Sequence, residues 1–138
     1  MSKSLFSGRL IGADPAYINL LQSTDAEAEC IRRYVDDLWW EWEAFADQQF
    51  MREYQDYFVS RFWEMYLGVS LKRELELVPD RPSEGPDICA IYNDRRVWVE
   101  AVAPTGGESG KPDSVPPQPH GPGAAYVPEP QIILRLTN

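Results

Sequence analysis

GPDICAIYNDRRVWVEAVAP, residues 85–104, reads as two short strands about a tight turn. Asp87–Tyr92 is apolar and rich in strand formers, Asn93-Asp94-Arg95 is turn chemistry, and Arg96–Ala103 is apolar again, so a β-hairpin is predicted. Glu100 stands inside Val-Trp-Val-Glu-Ala-Val, where its neighbours look made for burial. A carboxylate in such company requires a partner, a metal or a mechanism. Strand alternation puts Glu100 on one face with Trp98 and Val102, and Val97, Val99, Ala101 and Ala103 on the other. Pairing of the two strands can bring Asp87 and Glu100 together. Two converging carboxylates suit a hard divalent cation such as Mg²⁺, which takes oxygen ligands and keeps several waters.

Upstream, Leu71, Leu75 and Leu77 alternate with Glu74 and Glu76, predicting a strand over about 71–78. Residues 24–68 carry helical patterning. Thr24 is the expected N-cap, with Asp25, Glu27 and Glu29 in the first turns. Ile31, Val35, Leu38, Trp39 and Trp42 form one apolar stripe. Phe50, Tyr54, Tyr57, Phe58, Phe62, Met65 and Tyr66 form a second, with Gly68 as the residue that ends the helix. A break near 47–50 makes two helices of this length. The aromatic stripe is expected to be core. Asp14-Pro15 marks a turn or helix start in the weakly patterned residues 1–23.

Downstream, residues 104–130 hold eight prolines and five glycines and read as loop. Residues 131–138 turn apolar again, as the start of a C-terminal element. The whole, 1–138, is read as one domain with a helical layer at 24–68 and a three-stranded sheet region at 69–103. The expected class is α+β, with N-terminal helices packed on a small mixed sheet.

Composition narrows the function. Net charge is −9, and residues 1–60 alone carry −6, so the chain lacks the basic surface that drives nucleic-acid affinity. There is no run of about 18 apolar residues, and the N-terminus has no apolar leader core, so no membrane association and a cytoplasmic location are expected. Cys30 and Cys89 have no metal-type spacing and read as two buried thiols of a cytosolic protein. The single histidine, His120, excludes any site needing two.

An aromatic helix bearing Glu64, then Pro86-Asp87, a turn, and Glu100 in an apolar strand resembles the PD-(D/E)XK nuclease superfamily, the restriction-endonuclease-like fold. The resemblance covers roughly Phe58–Pro104. It implies an α-β-β-β-α-β core, of which this chain would stop short of the last helix and strand. It also implies that Asp87 and Glu100 bind magnesium, that Glu64 in Ser60-Arg61-Phe62-Trp63-Glu64 adds to the site, and that phosphodiesters are hydrolysed. Where the family has a lysine that positions the attacking water, this chain has Val102. Gln131, Arg135 and Lys111 are the substitutes considered. Gln131 is preferred, because a helix after the third strand packs near the site in that family. Two readings follow. One is a magnesium-dependent nuclease-like domain acting on nucleic acid, or an inactive descendant, its sheet completed by a partner or a second copy. The other is a protein-interaction module using the aromatic helices and the Pro/Gly-rich segment. The plain alternatives make Asp87 a turn residue, Glu100 an edge residue paired with Arg95 or Arg96, and Glu64 a solvated helix residue.

Overall fold

A computed structural model describes residues 3–79, 85–103, 110–112 and 114. The chain divides into two compact units, Met1–Ala103 and Pro104–Asn138. In the second, the described residues form a turn in which Ser114 N–H donates to the Lys111 carbonyl at 3.0 Å.

The first unit is α+β, with four helices and a three-stranded sheet. Helix α1, Pro15–Gln22, starts where Asp14-Pro15 predicts: the Asp14 carboxylate accepts from Ala16 N–H, and proline takes the first turn, where its missing donor costs nothing. Helix α2, Ala26–Trp42, is capped by Asp25, one residue later than the expected Thr24. The chain then breaks as the length requires. Asp47 accepts from the N–H groups of Gln49 and Phe50 and turns the backbone into the short α3, Phe50–Glu53. Helix α4, Phe58–Lys72, runs a full turn past Gly68, so Gly68 does not end the helix. It is interior because the Trp42 ring lies against it: a Cβ built there would sit 2.2 Å from Trp42 Cζ3.

The extra turn of α4 consumes most of the strand predicted at 71–78. Only Glu76–Leu77 remains as β1. Strands β2, Ile88–Tyr92, and β3, Arg95–Val99, form the expected hairpin about a two-residue turn. Asn93 and Asp94 both have positive φ, 49° and 58°, the backbone of a tight hairpin turn whose twist matches the strands. The order is β1-β2-β3 and both pairings are antiparallel, so among the described residues the sheet is not mixed.

Val35, Leu38, Trp39 and Trp42 of α2 meet Phe50, Tyr54, Phe58, Met65 and Val69, and the sheet closes this core with Leu77, Ile88 and Ala90. The core is smaller than the stripes suggest. Ile31, Tyr57 and Tyr66 are exposed at 39, 59 and 40%, and of the two thiols expected to be buried Cys89 is and Cys30, on the outer side of α2, is not. Strand β3 is exposed too, so the apolar run around Glu100 is not a buried one. Among the described residues no helix is long and apolar enough to cross a membrane.

The weakly patterned N-terminus is tied down by buried polar groups. The hydroxyls of Tyr17 and Tyr54 both donate to the Leu5 carbonyl at 2.9 Å, and Leu5 N–H donates to Asp36 at 2.9 Å. Burial, then the hydrogen bond with Tyr54 and the charge of Asp36, push the Tyr17 phenol well above its ordinary value. A raised folded-state pKa stabilises the fold fully below the unfolded value of about 10, and that contribution is lost as pH rises beyond it. Alkaline titration followed by phenolate absorbance should therefore show Tyr17 ionising only together with unfolding, and Tyr17→Phe should shift the unfolding pH upward. Ionisation of Tyr17 in a folded protein would contradict this.

Candidate functional site

In α4, Ser60 and Arg61 lie four and three residues before Glu64, which places them on one helix face with it, and the N-cap residue Tyr57 stands at the start of that helix. That face, with Glu53 of α3, forms one wall of a cleft of about 450 Å³. The other wall is the end of the hairpin, where Asp87, Glu100 and Ala101 line the same space. The three carboxylates picked out by the sequence thus come from three elements to one cleft.

The hairpin register explains the pairing of Asp87 with Glu100. Ile88 stands opposite Val99 as the last pair of the ladder, and Asp87 and Glu100 are the residues that flank that pair just beyond the two strands. Strand β3 ends at Val99 rather than at Ala103, so Glu100 lies just past the strand and is exposed. The ladder is extended instead by a side chain: Ala101 N–H donates to Asp87 Oδ2 at 2.8 Å. Asp87 is therefore fixed in place while its charge stays at the cleft. Arg95 and Arg96 lie at the turn end of β3, several residues from Glu100.

Glu64 is a different kind of group. It is 2% exposed, not solvated. Its Oε1 accepts from the Trp42 indole N–H at 3.3 Å, and its Oε2 accepts from Arg61 Nη1 at 2.7 Å. Arg61 also reaches Glu53 at 2.7 Å and Asp47 at 3.5 Å. Burial alone would lower the Arg61 pKa, but the hydrogen bonds to Glu53 and Glu64 and the charges of Glu64 and Asp47 outweigh it and push it up.

Among the described residues the lining carries four carboxylates, those of Glu53, Glu64, Asp87 and Glu100, against one guanidinium. Such a cleft attracts cations and repels a polyanion. Among the described residues no three His, Cys, Asp or Glu side chains are placed to hold one ion together. Gln131 and Arg135 lie outside the described residues, and so does His120. Lys111 belongs to the second unit. Val102 is 68% exposed and stands where a lysine was looked for. Glu53, Tyr57, Ser60 and Arg61 were not anticipated. For Arg61 and Ser60 a signal existed, since they sit three and four residues before Glu64 on a helix. No family model, curated protein or solved structure matches the chain.

Proposed function

We infer that the cleft is a magnesium site in a divergent nuclease-like domain related to the PD-(D/E)XK type, with Asp87 and Glu100 as the protein ligands. The observation that carries this is the convergence of Asp87 and Glu100, which flank the last pair of the hairpin, on one cleft faced by α4. The donor set fits: both are oxygen ligands, and Mg²⁺ is commonly held by one or two carboxylates with waters and substrate phosphates completing its shell. When bound, the ion polarises a phosphoryl oxygen and lowers the pKa of a coordinated water.

The chain's own residues divide the remaining work. The Ala101 amide orients Asp87, and Glu100 brings the second charge from across the hairpin. Because the cleft is acidic, a phosphodiester requires the cation to approach Asp87 and Glu100 at all. With an exposed valine at position 102, proton transfer to or from water has no lysine there to assist it. The cleft thus binds a cation, and hydrolysis there is slow or lost.

The test is a Mn²⁺ titration followed by calorimetry, with cleavage of a DNA and RNA panel beside it. Asp87→Asn keeps the acceptor for Ala101 N–H and removes only the charge, as does Glu100→Gln at its position. Each should weaken binding more than about tenfold, since affinity follows ligand charge. A wild-type protein that binds no divalent ion would end the magnesium reading. The interaction reading rests on the outer face of α4, where Val59, Trp63 and Tyr66 are 52, 40 and 40% exposed and the last two rings stack at 5.5 Å. It gains if partner binding survives both charge variants.

A further inference from the structure

We propose that the outer edge of β3 is an interface between two copies of this chain, paired antiparallel about Trp98 with Arg96 of each copy opposite Glu100 of the other. Pairing of this kind needs no metal.

Strand β3 comes last in the order β1-β2-β3, and among the described residues no strand pairs with its outer side. The ladder decides which residues present backbone groups there. Val78 N–H donates to the Cys89 carbonyl at 2.9 Å, so Cys89 turns its backbone groups to β1, and its pair with Trp98 exchanges no hydrogen bonds. Trp98 therefore directs its own N–H and C=O outward, and alternation gives Arg96 the same direction. Past the strand, Ala101 N–H turns inward to Asp87, which leaves the backbone groups of Glu100 on the outer side. Arg96, Trp98 and Glu100 also share one face. Val97 and Trp98 are 40 and 43% exposed, which makes this an apolar open edge of the kind that recruits another strand.

Charge complementarity selects the occupant. Arg96-Val97-Trp98-Val99-Glu100 runs from a base, through valine, tryptophan and valine, to an acid. Its reverse is therefore its own partner. A two-fold axis at Trp98 sets Arg96 against Glu100 twice, Val97 against Val99 twice, and tryptophan against tryptophan. Opposite charges and aromatic rings directly across a ladder are stabilising pairs. The outward-facing residues of one copy then meet those of the other, so their free N–H and C=O groups pair. An axis at Val97 would set Arg96 against Trp98 and Arg95 against Val99, with no opposite-charge pair. Within one chain Arg96 and Glu100 stand about 13 Å apart, at about 3.3 Å per extended residue. Among the described residues neither forms an ion pair. A carboxylate has two oxygens, so Glu100 can meet a guanidinium with one and the cleft with the other. The product is a closed, isologous dimer with one sheet running through both copies.

Sedimentation velocity of the full chain over a concentration series tests this, with EDTA present so that divalent ions play no part. The wild type should be dimeric at the upper concentrations. Arg96→Glu and Glu100→Arg each replace two opposite-charge pairs by two like-charge pairs, and each should raise the dissociation constant more than about tenfold. The double variant, Arg96→Glu with Glu100→Arg, should restore the dimer. A wild type that stays monomeric throughout overturns the proposal, as does a species larger than a dimer. A dimer indifferent to the single reversals, or not rescued by the double one, also overturns it. None of these outcomes bears on the magnesium reading, which the Mn²⁺ titration decides. Should a charge reversal lose cooperative unfolding, Trp98→Lys takes its place: two ammonium groups then face each other at the axis, and a dimer of undiminished strength overturns the proposal.

Discussion

Trp42→Ala should destabilise the protein by about 3–5 kcal/mol, read as a lower urea midpoint with an unchanged slope. Trp42 is 1% exposed and sits at the meeting point of α2, α4 and the sheet. Its ring stacks on Phe45 at 5.6 Å, its N–H donates to Glu64, and its six-membered edge lies against Gly68. Truncation leaves a cavity and removes one donor from a buried carboxylate. The contact with Gly68 gives a sharper check. In the wild type, Gly68→Ala should cost about 1–3 kcal/mol, because the new methyl overlaps the indole and a packed core cannot yield. In the Trp42→Ala background the obstacle is gone, and the same change should become stabilising by about 0.5–1 kcal/mol, the usual gain of alanine over glycine inside a helix. A double-mutant cycle that shows additivity would refute this packing.

The second large effect should come from Gln55→Ala, at about 2–3 kcal/mol with a local signature. Gln55 is 4% exposed, and its side-chain oxygen accepts from the N–H groups of Ile11 and Gly12 at 2.8 and 3.0 Å. Its amide nitrogen donates to the Arg9 carbonyl and to the Tyr54 hydroxyl. One side chain thus pairs three backbone groups of a segment that has no secondary structure to pair them. Leaving such groups unpaired costs about 1–3 kcal/mol each when buried, and less here because Ile11 is exposed. The segment also lies flush on Gln55, since a Cβ at Gly12 would stand 2.4 Å from the Gln55 backbone carbon. Gly12→Ala should therefore release the same residues. In both variants trypsin should cut after Arg9 before global unfolding, and amide exchange should rise over residues 5–13 first. Unchanged cleavage at Arg9 would show that the clamp lies elsewhere.

These two sites show why part of the fold is legible in the sequence and part is not. The stripe of Val35, Leu38, Trp39 and Trp42 follows from helical periodicity and is buried as expected. The hairpin follows from Asn93-Asp94, and it brings Asp87 and Glu100 to the same end, beside the Ile88–Val99 pair. Both signals are local. Gly68 misleads because its meaning depends on Trp42, 26 positions earlier, and no local rule distinguishes a glycine that stops a helix from one that admits a ring. The N-terminal clamp escapes for the same reason: Gln55 meets residues more than forty positions away. At the cleft, the order of elements gives Glu64 a supporting place beside the expected metal ligands Asp87 and Glu100, and it lines the same cleft. Its hydrogen bonds to Arg61 and Trp42 depend on how α2, α3 and α4 pack. Of the carboxylates, the pair made by a local element was readable, and the pair made by packing was not.

That division has a kinetic side. Two strands joined by Asn93-Asp94 can meet within about 1–10 μs, long before distant helices dock. Asp87 and Glu100 are thus brought to the same end of the hairpin by one of the early steps available to this chain. A lone hairpin has little stability in water, however, and two facing negative charges at its open end weaken it further. The pairing persists only once Ile88 and Ala90 find the helices. On the proposed reading of Asp87 and Glu100 as ligands, a divalent ion captured early by that open end would act on folding itself, and magnesium should then quicken refolding.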